Sequence, residues 1–134
     1  MTIYVDSSAL VKRYIAEPES QYTVDVMTAD PSHVTARHTM VEVGRALAVG
    51  LGDSVLPTAR TALARDLASF VIVELDTETC ALAAEIAEQM LVRTLDALHL
   101  GAARRIGDPE ITFLTFDVRQ AAAARNLGLT VVGA

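Results

Sequence analysis

Four acidic side chains, each beside an apolar run, are the residues of this sequence best suited to chemistry. They are Asp6 in IYVDSSALVKRY, Glu42 in TMVEVGRAL, Asp96 in TLDALHLGAA and Asp117 in FLTFDVRQAAAA. Carboxylate oxygens are the ligands that hard divalent cations such as Mg²⁺ and Mn²⁺ prefer. A bound cation would also relieve the repulsion between carboxylates gathered in one pocket. The pattern predicts a metal site in an enzyme that acts on phosphates.

The positions of two of these acids relative to the strands suggest how they would meet. The apolar runs IYV and ITFLTF are typical of buried strands, and Asp6 and Asp117 follow them directly. In parallel sheets ligands bind beyond the carboxyl ends of the strands. If the two strands are neighbours, both carboxylates leave the sheet at the same edge, and helix N-termini would bring Glu42 and Asp96 to them.

Each acid also has an ordinary structural explanation. Asp6 and Asp117 precede helices and would serve as N-caps. Glu42 follows Thr39 at the spacing of a capping box. Asp96 lies in the first turn of a helix, where a negative charge complements the helix dipole. A fold gains no stability by gathering four like charges, so the four acids taken together favour the metal site.

Apolar runs alternate with segments of helical periodicity, which predicts an α/β fold with a parallel sheet. The predicted strands cover residues 2–6, 33–35, 70–75, 111–116 and a final LTVVG segment. The predicted helices cover residues 7–16, 19–29, 39–50, about 53–69, 77–92, 94–106 and 117–127. The strands are apolar on both faces, as expected when helices cover both sides of the sheet.

The composition is that of one globular domain spanning residues 1–134, with 51% hydrophobic residues. The net charge of −6 argues against a nucleic-acid partner, but bound metals would offset it, and ten of the eleven basic residues are Arg, which suits phosphate contacts. The single Cys80 is expected to be buried, and no apolar run reaches membrane-spanning length. We therefore expect a cytoplasmic protein without a membrane partner.

The chain resembles the PIN domains, and most closely the VapC-type toxins of bacterial toxin–antitoxin pairs. The resemblance rests on VDSSALVKRY, the helix with Glu42, TLDALHLGAA and LTFDVRQAAAARNLGLTVV, in the order of the family's motifs. It implies a PIN-like three-layer α/β/α sandwich with a parallel sheet of about five strands and the first strand central. It also implies Mg²⁺- or Mn²⁺-dependent endoribonuclease activity, a VapB-like antitoxin, a homodimer, and metal-site roles for Asp6, Glu42, Asp96 and Asp117.

The same resemblance suggests supporting residues. Thr115 matches a polar position that often supports the site in this family, and Ser7 or Ser8 is expected to do the same. Arg13 is a candidate contact for substrate phosphate or for the partner, with an ordinary surface charge as the alternative. Two residues depart from the family pattern: Gln120 replaces an apolar residue, and Gly101 replaces an alanine.

The histidines receive no catalytic role. His99 follows Asp96 by three positions on one helix and is interpreted as a buried, hydrogen-bonded histidine rather than a metal ligand or base. Its motif contains no second His or Cys at zinc-site spacing. His33 and His38 flank the end of a predicted strand, and we assign them no function.

Alternatives from other classes remain open. A receiver domain would use an acid such as Asp76 as phosphoacceptor but needs a Lys after a late strand, and the only Lys is Lys12. A haloacid-dehalogenase-type phosphatase needs a second Asp two residues after the first, where this chain has Ser8. A non-catalytic PIN scaffold is also possible, although four intact acids argue against it.

Overall fold

Five parallel strands form one sheet in the computed structural model, which describes residues 1–134. The strands are β1 Ile3–Val5, β2 His33–Ala36, β3 Val71–Val73, β4 Thr112–Thr115 and β5 Thr130–Gly133. Their order is β3-β2-β1-β4-β5, with β1 paired in parallel to β2 on one side and β4 on the other. The predicted five-stranded parallel sheet with a central first strand is confirmed.

Seven α-helices surround the sheet. They are α1 Ser7–Leu10, α2 Ser20–Ala29, α3 Thr39–Gly50, α4 Leu56–Ser69, α5 Thr77–Met90, α6 Thr94–Ile106 and α7 Val118–Asn126. The first is shorter than the predicted span 7–16, because a 3₁₀ turn over Val11–Arg13 ends it. Four strands are also shorter than predicted, since residues at their ends, such as Asp6, act as helix caps, whereas β2 extends one residue beyond the predicted 33–35. None of the helices combines the length and hydropathy needed to cross a bilayer.

The core consists of two apolar layers, one on each face of the sheet. Successive side chains of β1 alternate between them: Ile3 and Val5 pack with α1 to α4, and Tyr4 packs on the opposite face with α5 to α7. Tyr4 stacks on Phe113 of β4 with ring centroids 5.0 Å apart. This arrangement is the predicted three-layer α/β/α sandwich.

Two single-residue expectations turn out differently in the structure. Cys80 is exposed on α5, where it borders a groove between α5 and α6, so the prediction of a buried thiol is wrong. Gln120 is only 1% exposed, as the apolar residue usual at its position would be, and neither polar atom of its amide has a hydrogen-bond partner. Gln120 therefore lowers the stability of the protein by the free energy needed to remove its amide from water without replacing the hydrogen bonds.

Gly101 allows helices α5 and α6 to approach closely. A Cβ atom built on Gly101 would lie 2.9 Å from the backbone nitrogen of Ala83 and 3.0 Å from its Cα and Cβ. Backbone atoms cannot move aside as a flexible side chain can. The departure from the family pattern at residue 101 is therefore a packing requirement of this chain, and it allows the close approach of α6 to α5.

We predict that Gly101→Ala destabilises the protein. Overpacking against Ala83 should cost about 1–3 kcal/mol, partly offset by the better helix propensity of Ala, worth about 1 kcal/mol. The matched control is Gly44→Ala in α3, where a Cβ meets nothing within 4 Å, so the control should be neutral or stabilising. Urea unfolding of both variants measures the effect, and equal stabilisation by both substitutions would contradict the packing argument.

Candidate active site

Asp6 is a buried carboxylate at the end of the central strand. It is 3% exposed and caps α1, with Oδ1 accepting hydrogen bonds from the Ala9 backbone N–H at 3.0 Å and the Ser8 hydroxyl at 2.7 Å. Its other oxygen accepts from the Thr115 hydroxyl. Burial raises the pKa of Asp6 above its ordinary value, although His99 and these hydrogen bonds act in the opposite direction. An N-cap does not require such burial, so capping alone does not account for this residue.

Thr115 connects Asp6 to Asp117 at the edge of the sheet. Its fully buried hydroxyl donates to Asp6 and accepts from the backbone N–H of Asp117 at 3.1 Å. Asp117 caps α7, with Oδ1 accepting from the backbone N–H groups of Arg119 and Gln120 at 2.9 and 3.0 Å. Because β1 and β4 are parallel neighbours, the two acids leave the sheet at the same edge, as their positions after the two strands predicted.

A guanidinium group links Asp117 to Asp96. Arg93 immediately precedes α6, and its Nε donates to Oδ2 of Asp96 at 3.1 Å while its Nη2 donates to Oδ2 of Asp117 at 3.4 Å. The hydrogen bond to Asp96 raises the pKa of Arg93 above its usual range. The Arg93 side chain remains 66% exposed, so it holds the two acids together from the solvent side.

Glu42 lies in the first turn of α3 and points toward α1 and α6. Its Oε1 accepts from the Ser7 hydroxyl at 2.6 Å and contacts Nε2 of His99 at 2.7 Å. Burial raises the pKa of Glu42, but the hydrogen bonds from His99 and Ser7 outweigh it and hold the pKa below its ordinary value. The capping box predicted for Thr39 and Glu42 is absent, because the Thr39 hydroxyl pairs with that of Thr35 instead.

His99 is buried and hydrogen-bonded, as the sequence predicted, and its partners are Glu42, Tyr4 and, at 3.2 Å, the Ser7 hydroxyl. The Tyr4 hydroxyl lies 2.7 Å from Nδ1 of His99, and burial raises its pKa well above the usual value. When this phenol donates to Nδ1, the neutral His99 ring carries its own proton on Nε2 and donates it to Glu42. Tyr4 and His99 thus orient the Glu42 carboxylate from the core side.

His38 belongs to the same cluster, although no role was predicted for it. It is 8% exposed, its ring centroid lies 4.1 Å from that of His99, and its Nε2 lies 3.5 Å from Glu42 and 3.2 Å from the Leu95 carbonyl oxygen. Its position four residues before Glu42 was a usable signal, because that spacing places both residues on one side of a helix start. The contact with His99 depends on the fold and carries no local signal.

The remaining predicted basic residue, Arg13, takes part in none of these contacts. Its Nε lies 3.7 Å from a carboxylate oxygen of Asp66 in α4. Two clefts instead meet at Arg93 and Asp96. One, of about 310 Å³, extends along Thr94 and Leu95 to Glu42. The other, of about 330 Å³, extends from the α5–α6 connection to Arg119 and α7.

This fold and arrangement have known counterparts. The family model described as "PIN domain" matches residues 3–126. The chain belongs to the PIN domain family. This PIN domain is 37% identical over 130 residues to Ribonuclease VapC46 of Mycobacterium tuberculosis, covering 97% of this chain and 95% of that protein. It is 31% identical to Ribonuclease VapC47 of the same species, covering 94% and 92%. The chain is therefore a VapC-type PIN domain.

Solved structures with the same fold are more distant in sequence. FitAcB from Neisseria gonorrhoeae superposes with a TM-score of 0.76 at 18% identity, covering 97% of this PIN domain and 96% of that chain. VapC20 of Mycobacterium tuberculosis, described as a sarcin–ricin loop cleaving toxin, superposes with a TM-score of 0.71 at 18% identity, covering 91% and 95%. At these identities the similarity concerns the fold alone.

We predict that His38 makes metal-free protein less stable in mild acid. Burial and the neighbouring His99 lower the pKa of His38 to about 4, against about 6.5 in an unfolded chain. Between these values the unfolded state binds the additional proton, so stability falls as the pH falls. Linkage gives a loss of at most about 2 kcal/mol between pH 7 and pH 5 from this residue.

The measurement is urea unfolding at pH 7 and pH 5 in the presence of chelator. His38→Gln should lose less stability over this interval than the wild type. The control is His33→Gln, since His33 lies outside the cluster and bonds to the Met27 carbonyl oxygen. An unchanged pH dependence in His38→Gln would contradict the assignment.

Proposed function

We propose that this chain is a Mg²⁺- or Mn²⁺-dependent endoribonuclease that acts in the cytoplasm as the toxin of a VapBC-type toxin–antitoxin pair. The observation that carries the proposal is the 37% identity to a protein named Ribonuclease VapC46 over 97% of this chain. The connected carboxylates at the carboxyl edge of the sheet support it, because they give that similarity a chemical basis.

The side chains proposed to hold the metal are Asp6, Glu42, Asp96 and Asp117. They offer only oxygen atoms, which suits Mg²⁺ and Mn²⁺. The guanidinium of Arg93 between Asp96 and Asp117 is evidence that the edge favours positive charge. When bound, such a cation supplies a water of lowered pKa and neutralises charge on the phosphate.

Four polar side chains next to these acids would hold them in place. Ser8 and Thr115 each bond one oxygen of Asp6 and so fix the plane of its carboxylate. Ser7 and His99 both bond Oε1 of Glu42 and hold this oxygen in place. A rigid set of ligands avoids the cost of reorganisation when substrate binds.

For contact with substrate phosphate, Arg93 is better placed than Arg13. The Arg93 side chain is 66% exposed and borders both clefts. Arg13, the residue first considered from the sequence, is 31% exposed and faces Asp66. If the Arg93 side chain moves away from Asp96 and Asp117, its guanidinium can bind a substrate phosphate. A metal ion would then bind between the two acids.

We propose that an antitoxin covers this edge of the sheet. Apolar side chains beside the acids are exposed, namely Met40, Leu91, Leu95 and Val118, at 47%, 88%, 49% and 76%. They would accept the apolar residues of a partner segment, whose basic side chain would pair with the carboxylates. The solved structures of similar fold include a toxin–antitoxin complex from Klebsiella pneumoniae. A homodimer, as in the family, is part of the same proposal.

The decisive experiment is RNA cleavage by Asp6→Asn. Losing this ligand should lower the cleavage rate at least about 100-fold, equivalent to about 2.7 kcal/mol of transition-state stabilisation. The fold should persist, because burial already disfavours the charged form of Asp6. Urea unfolding at pH 7 should show that Asp6→Asn is as stable as the wild type or more stable.

Asp76→Asn is the matched control. Asp76 caps α5 through the Thr79 backbone N–H at 3.0 Å, as Asp6 caps α1, but its side-chain partner is Arg105, whereas those of Asp6 are the Ser8 and Thr115 hydroxyls. The control should cleave RNA at the wild-type rate. Full activity of Asp6→Asn would overturn the assignment, and its failure to fold would indicate a structural cap.

We expect chelator to stop cleavage by the wild-type protein. Adding Mg²⁺ or Mn²⁺ back should restore it, whereas Zn²⁺ should restore it poorly, because an all-oxygen site suits hard cations. The assay follows cut RNA ends from partner-free protein over a titration of each metal. Undiminished cleavage in excess chelator would exclude the proposed mechanism.

Expression of the chain alone should arrest growth, because the acids then have no partner segment across them. Co-expression with the product of an adjacent small open reading frame should restore growth. Asp6→Asn expressed at the same level is the control and should be harmless. A wild-type chain that is harmless and inert toward RNA would instead favour a non-catalytic PIN scaffold.

A further inference from the structure

Two imidazole rings lie beside one of the carboxylates proposed to hold the metal. His38, Glu42 and His99 each offer one ligand atom, and these atoms all lie within 4.8 Å of one another. We infer that these three side chains form a Zn²⁺ site whose donors differ from the all-oxygen set proposed above. Two imidazoles and one carboxylate with an open fourth position is an established ligand combination for zinc.

The dimensions of the cluster suit this ion. Tetrahedral zinc with ligand bonds near 2.1 Å places its ligand atoms about 3.4 Å apart. Oε1 of Glu42 lies 3.5 Å from Nε2 of His38 and 2.7 Å from Nε2 of His99. The first distance already suits the ion, and the second has to open by about 0.7 Å for bonds of that length. Glu42 can accommodate such a shift because its side chain is 27% exposed in the first turn of α3.

His38 offers as its ligand atom Nε2, the nitrogen that lies 3.5 Å from Glu42. In the metal-free protein this atom can donate to the Leu95 carbonyl oxygen at 3.2 Å, a contact that zinc would replace. The ring proton would then lie on Nδ1, which is buried and has no hydrogen-bond partner in the metal-free protein either. Metal binding therefore adds no further unsatisfied buried group at this residue.

His99 has the outer contact that a ligating histidine commonly makes through its second ring nitrogen. The Tyr4 hydroxyl oxygen lies 2.7 Å from Nδ1, on the side of the ring opposite Glu42. With zinc on Nε2, the ring would carry its proton on Nδ1 and donate it to the Tyr4 oxygen. The metal would then replace the present hydrogen bond between His99 and Glu42 rather than require a new pocket.

Nitrogen ligands distinguish this site from a magnesium site. Imidazole favours zinc and related transition metals, whereas Mg²⁺ prefers carboxylate and water oxygens. Glu42 belongs to both sets, so zinc bound by the histidines would withdraw it from the carboxylates. Because both metals need Glu42, Zn²⁺ would inhibit the Mg²⁺-dependent reaction. This consequence rests on the proposed nuclease function.

The test uses untagged, chelator-stripped, full-length protein and Zn²⁺ titrated in competition with a chromophoric chelator. We expect one Zn²⁺ per chain, with the Kd raised at least tenfold in His38→Gln and in His99→Gln. The control His33→Gln replaces the third histidine, which lies outside the cluster, and should bind zinc as the wild type does. Asp6→Asn should also retain zinc binding, because Asp6 is not a ligand of this site.

Circular dichroism establishes that each variant is folded, and if His99→Gln is not, His38→Gln alone decides. Wild-type affinity in folded His38→Gln, or loss of zinc binding in Asp6→Asn, would overturn the inference. In the nuclease assay with Mg²⁺, added Zn²⁺ should inhibit the wild type at lower concentration than His38→Gln. Zinc binding by a protein that cleaves no RNA would contradict the proposed function and leave the zinc site standing.

Discussion

Burial of the Asp6 carboxylate at the end of the central strand is the constraint on which the rest of the site depends. Removing a carboxylate from water costs several kcal/mol unless hydrogen bonds replace those lost. Here the replacements come from α1, through Ala9 and Ser8, and from β4, through Thr115. The same contacts fix β1, α1 and β4 relative to one another, so the polar centre and the fold are specified together.

Helix α6 is the second organising element, and its position is set by small residues. Gly101 lets the backbone of α6 lie against that of α5, while Ala97 and Ala102 are almost completely buried. At this depth His99 contacts both Tyr4 of the central strand and Glu42 of α3.

The electrostatics of the edge follow from these placements. Asp6 has its pKa raised by burial, whereas Glu42 has its pKa lowered by donors. Arg93 neutralises part of the charge of Asp96 and Asp117 from solvent. The neighbouring acids are thus treated differently: burial disfavours the charged form of Asp6, hydrogen bonds stabilise the charged form of Glu42, and ion pairs offset the charges of Asp96 and Asp117. The resulting surface can accept positive charge from metal, from a basic side chain of a partner, or from Arg93 itself.

The sequence by itself determined the elements, the layer architecture and the common edge of Asp6 and Asp117. These features are local: apolar runs define strands, caps begin helices, and parallel strands end at the same side of a sheet. The resemblance to the PIN domains also marked residues 101 and 120 as unusual, without giving the reason. Only the tertiary structure brought His38, Glu42 and His99 together and paired Arg93 with two acids. Those contacts join residues distant in the chain, and their distances depend on how closely the helices pack, which no local spacing encodes.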